Sequence, residues 1–248
     1  MISSGMLAAI AGVGILVLIA TVMLHWLRVP QPWAPVIAIA RGAAQLAVIA
    51  LILTGIISDI CWIGVALLVM FTVATVVASN RVGWSAAAVT TMAAAIAVGA
   101  STSLLVVFAS NAIEATPRYL LAVGAMVIGN SMSIATLTGR MFITSTIDHW
   151  GQVEGWLALG ATGRQATLSL GRRAIHNAIV PTVDQTKSTG LVALPGAFVG
   201  AIFGGLSPLE AGRFQIVVLA AILAAGIITA AIVVYRTGSI TVRPAPVG

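Results

Sequence analysis

Polar side chains inside otherwise apolar segments are the residues of this chain that could do chemistry. Arg41 and Gln45 stand one helical turn apart in the second apolar segment, and Asn130 stands in the middle of the fifth. Asp184 and Lys187 are three residues apart, a spacing that lets them pair on one helix face. A charge at the centre of a bilayer costs about 2.5–3.5 kcal/mol, so these groups are candidates for a path that carries a polar or charged solute.

Each of these candidates also has a simpler interpretation. Arg41 could extend to the lipid headgroups, whereas Gln45 is too short to do so and is expected to face protein. Asn130 could hydrogen-bond to a neighbouring helix, or its carbonyl oxygen could line a cation path. Asp184 and Lys187 could be a solvated ion pair at the start of a helix, or a gate at the mouth of the path. The residues alone leave these alternatives open.

The sequence offers no familiar metal or catalytic motif. Its three histidines form no pair at helical spacing, and Cys61 is the single cysteine. The patterns H-E-x-x-H, G-x-S-x-G and G-x-x-x-x-G-K-[ST] are absent, and the only lysine is Lys187. The chain is therefore expected to be neither an enzyme nor a nucleotide-binding protein. Any metal ligands remain unknown, and a transported metal would be held transiently by oxygen ligands.

Composition places the chain in a membrane. Hydrophobic residues make up 60% and charged residues 7% of its 248 residues, whereas a soluble domain carries about 25% charged residues. The formal charge of +6 is then expected to report membrane topology and not nucleic-acid binding.

Seven apolar segments are long enough to cross a bilayer, which takes about 20 residues. The prediction is an all-α, polytopic protein with about seven transmembrane helices and a single permease domain over residues 1–248. The predicted spans are Ser4–Leu24, Ala34–Ile57, Cys61–Ala78, Trp84–Ala109, Pro117–Leu137, Thr189–Gly205 and Ala211–Tyr235.

The basic residues predict the orientation of these spans. With the N-terminus outside and the C-terminus inside, ten of the 12 Lys and Arg residues fall on the inner side, and only Arg118 and Arg213 fall outside. Such a bias is typical of the cytoplasmic side of a membrane. The long polar stretch 140–187, between spans five and six, is then expected in the cytoplasm.

Val153–Gln165, in that polar stretch, has apolar residues at helical spacing and predicts a short amphipathic helix ending near Gly160 or Gly163. Such a helix could lie on the headgroups. Alternatively it could dock on a partner, because Glu154 followed six residues later by Gly160 is similar to the cytoplasmic loop of ABC importer permeases. In that family the loop inserts a helix into a groove of a separate ATPase.

A more extensive resemblance covers nearly the whole chain. The segments R-G-A-A-Q-L (41–46), I-G-N-S-M (128–132), L-x-L-G-A-T (157–162), I-V-P-T-V-D (179–184), K-S-T-G-L-V-A-L-P-G (187–196) and F-Q-I-V (214–217) resemble Fet-type permeases. This family comprises bacterial iron-export permeases and is related to plant aluminium-tolerance permeases. Its bacterial members are the membrane half of an ABC transporter.

The resemblance implies a function and its partners. It implies a permease subunit that exports iron or another metal, a separate ATPase that binds ATP and Mg, and a homodimer of the permease in the inner membrane. It leaves open an ABC exporter of an anionic or chelated solute, similar to a sugar nucleotide. An ATP-independent channel or carrier is a third possibility. The implied ATPase-coupling residues are Glu154, Trp156, Leu157, Leu159, Gly160, Ala161 and Thr162.

Three further expectations concern the end of the polar stretch and the helix after it. Pro181–Lys187 is expected to form the inner mouth of the path. The segment with Arg172 and Arg173 is expected to be a basic amphipathic helix on the inner leaflet. Small residues repeat every four positions in the predicted sixth span, which would pack it against a neighbouring helix or a second copy. These glycines are Gly196, Gly200 and Gly204.

Overall fold

A computed structural model describes residues 4–56 and 60–245 of the chain. The described residues fall into two compact units, Met1–Ser58 and Asp59–Gly248. The first unit contains α1 (Ser4–Trp26) and α2 (Ala34–Ile56), which pack against each other. The turn between them contains Arg28 and Gln31, both with positive φ.

The second unit contains seven helices among its described residues, and the only β pairing described is an isolated bridge between Thr189 and Ala193. The described part of the chain is thus all-α. The helices are α3 (Ile60–Val82), α4 (Ala86–Ala109), α5 (Pro117–Asp148), α6 (Trp150–Ala158), α7 (Gly163–Ser188), α8 (Gly196–Phe203) and α9 (Pro208–Thr237).

Length and apolar composition make five described helices capable of crossing a membrane: α1, α3, α4, α5 and α9. The described part of α2 adds a shorter apolar run, Ala34–Ala50. Pro117 and Pro208 occupy the first turns of α5 and α9, where a missing N–H costs least. These helices agree with six of the predicted spans and with a multi-pass membrane protein.

The core of the second unit lies where α9 packs against α4 and α5. Ser103 of α4 donates its hydroxyl to the Ala221 carbonyl of α9 at 2.7 Å. In the opposite direction, Thr229 of α9 donates to the Ala95 carbonyl at 3.2 Å. A Cβ on Gly99 would meet Thr229, and one on Gly226 would meet Ile134 of α5. Small residues thus let these backbones approach closely, as membrane helices commonly do.

The prediction of a sixth span at Thr189–Gly205 is wrong. This segment forms a turn followed by α8, whose eight residues extend only about 12 Å. Gly190 has a φ of 89° in a turn where Thr189 bridges Ala193, so α8 begins only after Pro195, and Gly205, with a φ of 98°, follows its end. Apolar composition indicated a span, but these breaks prevent a continuous helix of that length.

The long polar helix α7 takes a place in the bundle instead. Its 26 residues extend about 39 Å, more than the thickness of a bilayer core. A Cβ on Gly163 would meet the Ile240 backbone, and one on Gly171 would meet Val234 of α9. The last turns of α7 line a cavity together with Asn130 of α5 and Gln215 of α9. Helix α7 is therefore antiparallel to α9 and packs along most of the length of α9.

This packing corrects one prediction. Arg172 and Arg173 do not form a separate amphipathic helix, because they lie within α7, whose opposite face is buried against α5 and α9. Pro181 also lies inside α7. The segment Pro181–Lys187 consequently lies at the end of α7 far from α6, and not beside the coupling segment.

Candidate functional site

Helix α6 has one buried face and one exposed face. Val153 is fully buried and packs in a cluster with Phe142 of α5 and Ala166, Leu170 and Ala174 of α7. Leu157 packs at the edge of this cluster. Trp156 and Leu159 point outward, with 53% and 83% of their surface exposed, and Glu154 is also exposed. The short amphipathic helix predicted from the sequence is present, and it ends at Ala158.

The junction of α6 and α7 is built from the predicted coupling residues. Gly160 has a φ of 88°, which a residue with a side chain rarely adopts. Thr162 then caps α7: its backbone N–H donates to Gln165 Oε1 at 2.8 Å, and its hydroxyl accepts from the Gln165 N–H. Ala161 and Thr162 thus lie in a defined turn that fixes how α6 leads into α7.

Contacts at the start of α7 tie it to the end of α9. The Arg164 guanidinium lies 4.0 Å from the centre of the Tyr235 ring. Thr167 donates its hydroxyl to the Gly238 carbonyl at 2.9 Å. Packed and hydrogen-bonded groups thus join the start of α7 to the end of α9.

One face of α7 carries most of its polar side chains, and these side chains are exposed. We call these residues the α7 polar face: Gln165, Ser169, Arg172, Arg173, His176, Asn177, Asp184 and Lys187. The buried face is made of small or apolar residues, including Gly171, Ala174 and Ala178. Sequence reasoning identified Asp184 and Lys187 as site residues but missed the face as a whole. The missed signal was the helical spacing of the small residues.

Asp184 and Lys187 form the expected ion pair. Lys187 Nζ lies 3.2 Å from Asp184 Oδ1, and both side chains are more than half exposed. An exposed pair of this kind contributes about 0–1 kcal/mol to stability. Neither residue lines the cavity between the helices.

That cavity, of about 160 Å³, lies between α5, α7 and α9. Its polar lining includes Asn130, which was predicted, and Thr182, Gln185, Thr186 and Thr189 from the end of α7. It also includes Gln215 of α9, which is 94% buried and whose Oε1 has no hydrogen-bond partner among the described residues. In the sequence, Gln215 belongs to the F-Q-I-V segment, and it could have been recognised as a lone amide near the start of an apolar segment.

The remaining predicted residues are placed elsewhere. Arg41 and Gln45 lie one turn apart on α2, in the first unit. Gly196 and Gly200 belong to α8, and a Cβ on either would meet nothing within 4 Å, while Gly204 would meet only the backbone of its own helix. Among the described residues, the predicted glycine face is thus not packed against another helix. Over the described residues, no group of three or more His, Cys, Asp or Glu side chains could hold a metal ion.

Comparison with known proteins identifies relatives along most of the chain. STAR2 of Oryza sativa subsp. japonica, named a UPF0014 membrane protein, is 38% identical over 200 residues, 80% of this chain and 70% of that protein. The Arabidopsis thaliana protein ALUMINUM SENSITIVE 3 is 33% identical over 207 residues, 83% of this chain and 76% of that protein.

A bacterial relative, the "Probable iron export permease protein FetB" of Escherichia coli (strain K12), is 37% identical over 143 residues, 58% of this chain and 55% of that protein. No solved structure matches the chain. The model of the "Uncharacterised protein family (UPF0014)" matches residues 7–240. The chain therefore belongs to the UPF0014 family of membrane proteins, which confirms the resemblance to the Fet-type permeases.

Proposed function

We propose that this chain is the permease subunit of an ABC transporter in the inner membrane, and that it exports iron or another metal. A separate ATPase subunit binds ATP and Mg and drives the transport. The observation that carries the proposal is the position of α7, a polar helix that packs along most of α9.

The polarity of α7 requires a neighbour other than lipid. Arg172, Arg173 and His176 are exposed on a helix whose other face packs on two apolar helices long enough to span the bilayer. Ionisable groups at membrane depth face a protein partner or a water-filled cavity, because hydrocarbon does not solvate them. We therefore assign the α7 polar face to a transport path, closed on its other side by a second copy of the permease.

This assignment also sets the membrane topology. We place the end of α9 with Arg236 and Arg243 in the cytoplasm, as the positive-inside rule favours. Because α7 is antiparallel to α9, it then runs from the cytoplasm towards the outside and takes the place of the predicted sixth span. In this arrangement α6 and Arg164 lie at the cytoplasmic side, and Asp184 and Lys187 lie near the outer side.

The exposed face of α6 supports the proposal that a separate ATPase docks on this chain. Trp156 and Leu159 expose large apolar surfaces next to Glu154, on a helix that is held from behind by Val153. An exposed aromatic side chain flanked by polar groups is typical of a docking contact. The contacts from the start of α7 to Tyr235 and Gly238 would pass the movement of a docked ATPase into the bundle.

The substrate has two candidates. The name of the Escherichia coli relative favours iron. A specific observation favours an anionic or chelated solute instead: the α7 polar face carries Arg172, Arg173 and Lys187 against one carboxylate, Asp184, which pairs with Lys187. A bare divalent cation would meet a repulsive field along most of this face.

Cellular metal content tests the proposal directly. Cells that express the chain together with its ATPase should contain less iron and survive iron and peroxide stress better than cells in which either subunit is deleted. The control expresses the same chain with an ATPase variant that cannot hydrolyse ATP. Unchanged cellular iron would contradict iron export, and transport that persists without the ATPase would favour a channel or carrier.

A further inference from the structure

We infer that residues 238–243, which follow α9, form one docking surface for the ATPase together with α6. We call these residues the α9 extension. The inference rests on the proposed function, because it adds a second contact for the same partner. It begins with the packing of the α9 extension, which is held against the first turn of α7, beside the turn that carries Ala161 and Thr162.

Two contacts fix the path of the α9 extension. Thr167 of α7 donates its hydroxyl to the Gly238 carbonyl at 2.9 Å, and this hydrogen bond is buried. The Ile240 backbone lies so close to Gly163 that a Cβ on this glycine would meet the Ile240 nitrogen and carbonyl group. Gly163 is buried and directly follows Thr162. The α9 extension therefore has a defined position next to the predicted coupling residues.

The α9 extension and α6 are supported by the same group of buried side chains. Ile240 of the extension packs against the cluster that contains Val153, and Trp150 and Leu157 of α6 pack against that cluster as well. The cluster thus lies behind both elements and brings them to one end of the bundle. A partner that binds the exposed face of α6 would consequently lie close to the α9 extension.

Beyond Ile240 the α9 extension presents one apolar and one basic side chain. Val242 is 77% exposed, and Arg243 is exposed and has no ion-pair partner among the described residues. Because an extended chain advances at most about 3.6 Å per residue, the Cα of Val242 lies within about 7 Å of the Cα of Ile240. Exposed apolar side chains next to an arginine are typical of protein interfaces. Trp156 and Leu159 of α6 contribute the same kind of surface.

The charges at this end of the bundle favour a protein partner over a lipid surface. An anionic membrane would attract Arg243 but would repel Glu154, which is exposed on α6. A protein partner can present a carboxylate to the arginine and a basic or polar group to the glutamate. We therefore expect the ATPase to cover Val242 with apolar side chains and to pair an acidic side chain with Arg243.

Binding of the purified ATPase to the full-length permease in lipid nanodiscs tests the α9 extension. The double variant Val242→Asp with Arg243→Glu should weaken ATPase binding by about tenfold or more, because it removes an apolar contact and reverses a charge. Its thermal stability should stay the same, since both side chains are exposed. The matched control, Leu209→Asp with Arg213→Glu, makes the same changes at exposed positions near the opposite end of α9 and should leave ATPase binding unchanged.

A milder pair of substitutions keeps the test decisive if charge reversal lowers the stability of the permease. Val242→Ala with Arg243→Gln should still weaken ATPase binding by about threefold or more. Unchanged ATPase binding by a correctly folded extension variant would overturn the inference, and so would an equal loss in the Leu209 and Arg213 control. A loss that occurs in nanodiscs with anionic lipid but not in detergent would assign the α9 extension to lipid headgroups and overturn it as well.

The α6 surface separates this inference from the proposed function. The variant Trp156→Ala with Leu159→Ala is measured in the same ATPase-binding experiment. If it loses ATPase binding while the extension variants keep it, only the role of the α9 extension is wrong. If the unchanged permease does not bind the ATPase at all, the proposed function is contradicted, and the inference that rests on it is contradicted with it.

Discussion

Gly171 of α7 lies against Val234 of α9 so closely that a Cβ on the glycine would meet the valine side chain. Phe142 of α5 lies on the same side of this glycine. The contact joins three helices within the cluster that contains Val153, Phe142 and Leu170, and it holds the polar helix α7 inside the bundle.

Replacing Gly171 with alanine should therefore destabilise the protein. Overpacking of a close contact costs about 1–3 kcal/mol, and the thermal unfolding temperature in detergent should fall by several degrees. The control is Gly64→Ala on α3, where a Cβ would meet nothing within 4 Å. An equal effect of both substitutions would contradict the tight packing of α7 on α9.

The two ends of α7 should be accessible from opposite sides of the membrane. In a background with Cys61→Ala, single cysteines are introduced as Arg164→Cys and Lys187→Cys, at exposed positions 23 residues apart by sequence number. A membrane-impermeant maleimide added to intact cells should label position 187, and position 164 should react only after the cells are opened. Labelling of both positions from the same side would show that α7 does not cross the bilayer.

Truncation of the exposed apolar residues of α6 should uncouple the ATPase. The double variant Trp156→Ala and Leu159→Ala should reduce permease-stimulated ATP hydrolysis by about tenfold or more, because large buried side chains dominate docking contacts. Its thermal stability should change little, since both side chains are exposed.

Gln152→Ala, also exposed on α6, is the control for this experiment. Normal stimulation by the double variant would place the ATPase contact elsewhere. Loss of stimulation accompanied by loss of stability would instead indicate that α6 had come away from the Val153 cluster.

Transport by a variant without the arginines of the α7 polar face should distinguish between the two substrate candidates. If the solute is anionic or chelated, Arg172→Gln with Arg173→Gln should reduce its transport by about tenfold, because the attraction in the path is lost. If the solute is a bare metal cation, transport should stay the same or rise. Arg118→Gln with Arg213→Gln, two exposed positions near the starts of α5 and α9, controls for the same change in net charge.

The sequence predicted the apolar part of the fold well. Segments such as Ala211–Tyr235 were recognised because a helix needs about 20 consecutive apolar residues to cross a bilayer, and soluble proteins seldom contain such runs. The packing of α7 into the bundle was missed because hydropathy averages over all the side chains of a helix. The packing of α7 depends only on the residues of one narrow face. That face is formed by Gly171, Ala174 and Ala178, which pack against α5 and α9 while Arg172 and Arg173 stay exposed.

The candidate site was predicted only in part, for a related reason. Asn130 is conspicuous in the middle of a span, and the spacing of Asp184 and Lys187 indicates their ion pair. The cavity depends on which residues three separate helices bring to one place, and no local pattern reports that. Gln215 thus appeared as one amide near a helix start, although the structure buries it beside Asn130 in the same cavity lining.

The position of α7 also constrains the order in which this protein can be assembled. In the proposed arrangement α7 crosses the bilayer with Arg172 and Arg173 near its middle, and on insertion scales each central arginine opposes entry by about 2.5–3.5 kcal/mol. Its binding surface is completed by α9, the last helix of the described chain to be synthesised. A nascent chain that stops before Pro208 would lack the α9 side of that surface, so the proposed arrangement requires α7 to wait until α9 has left the ribosome.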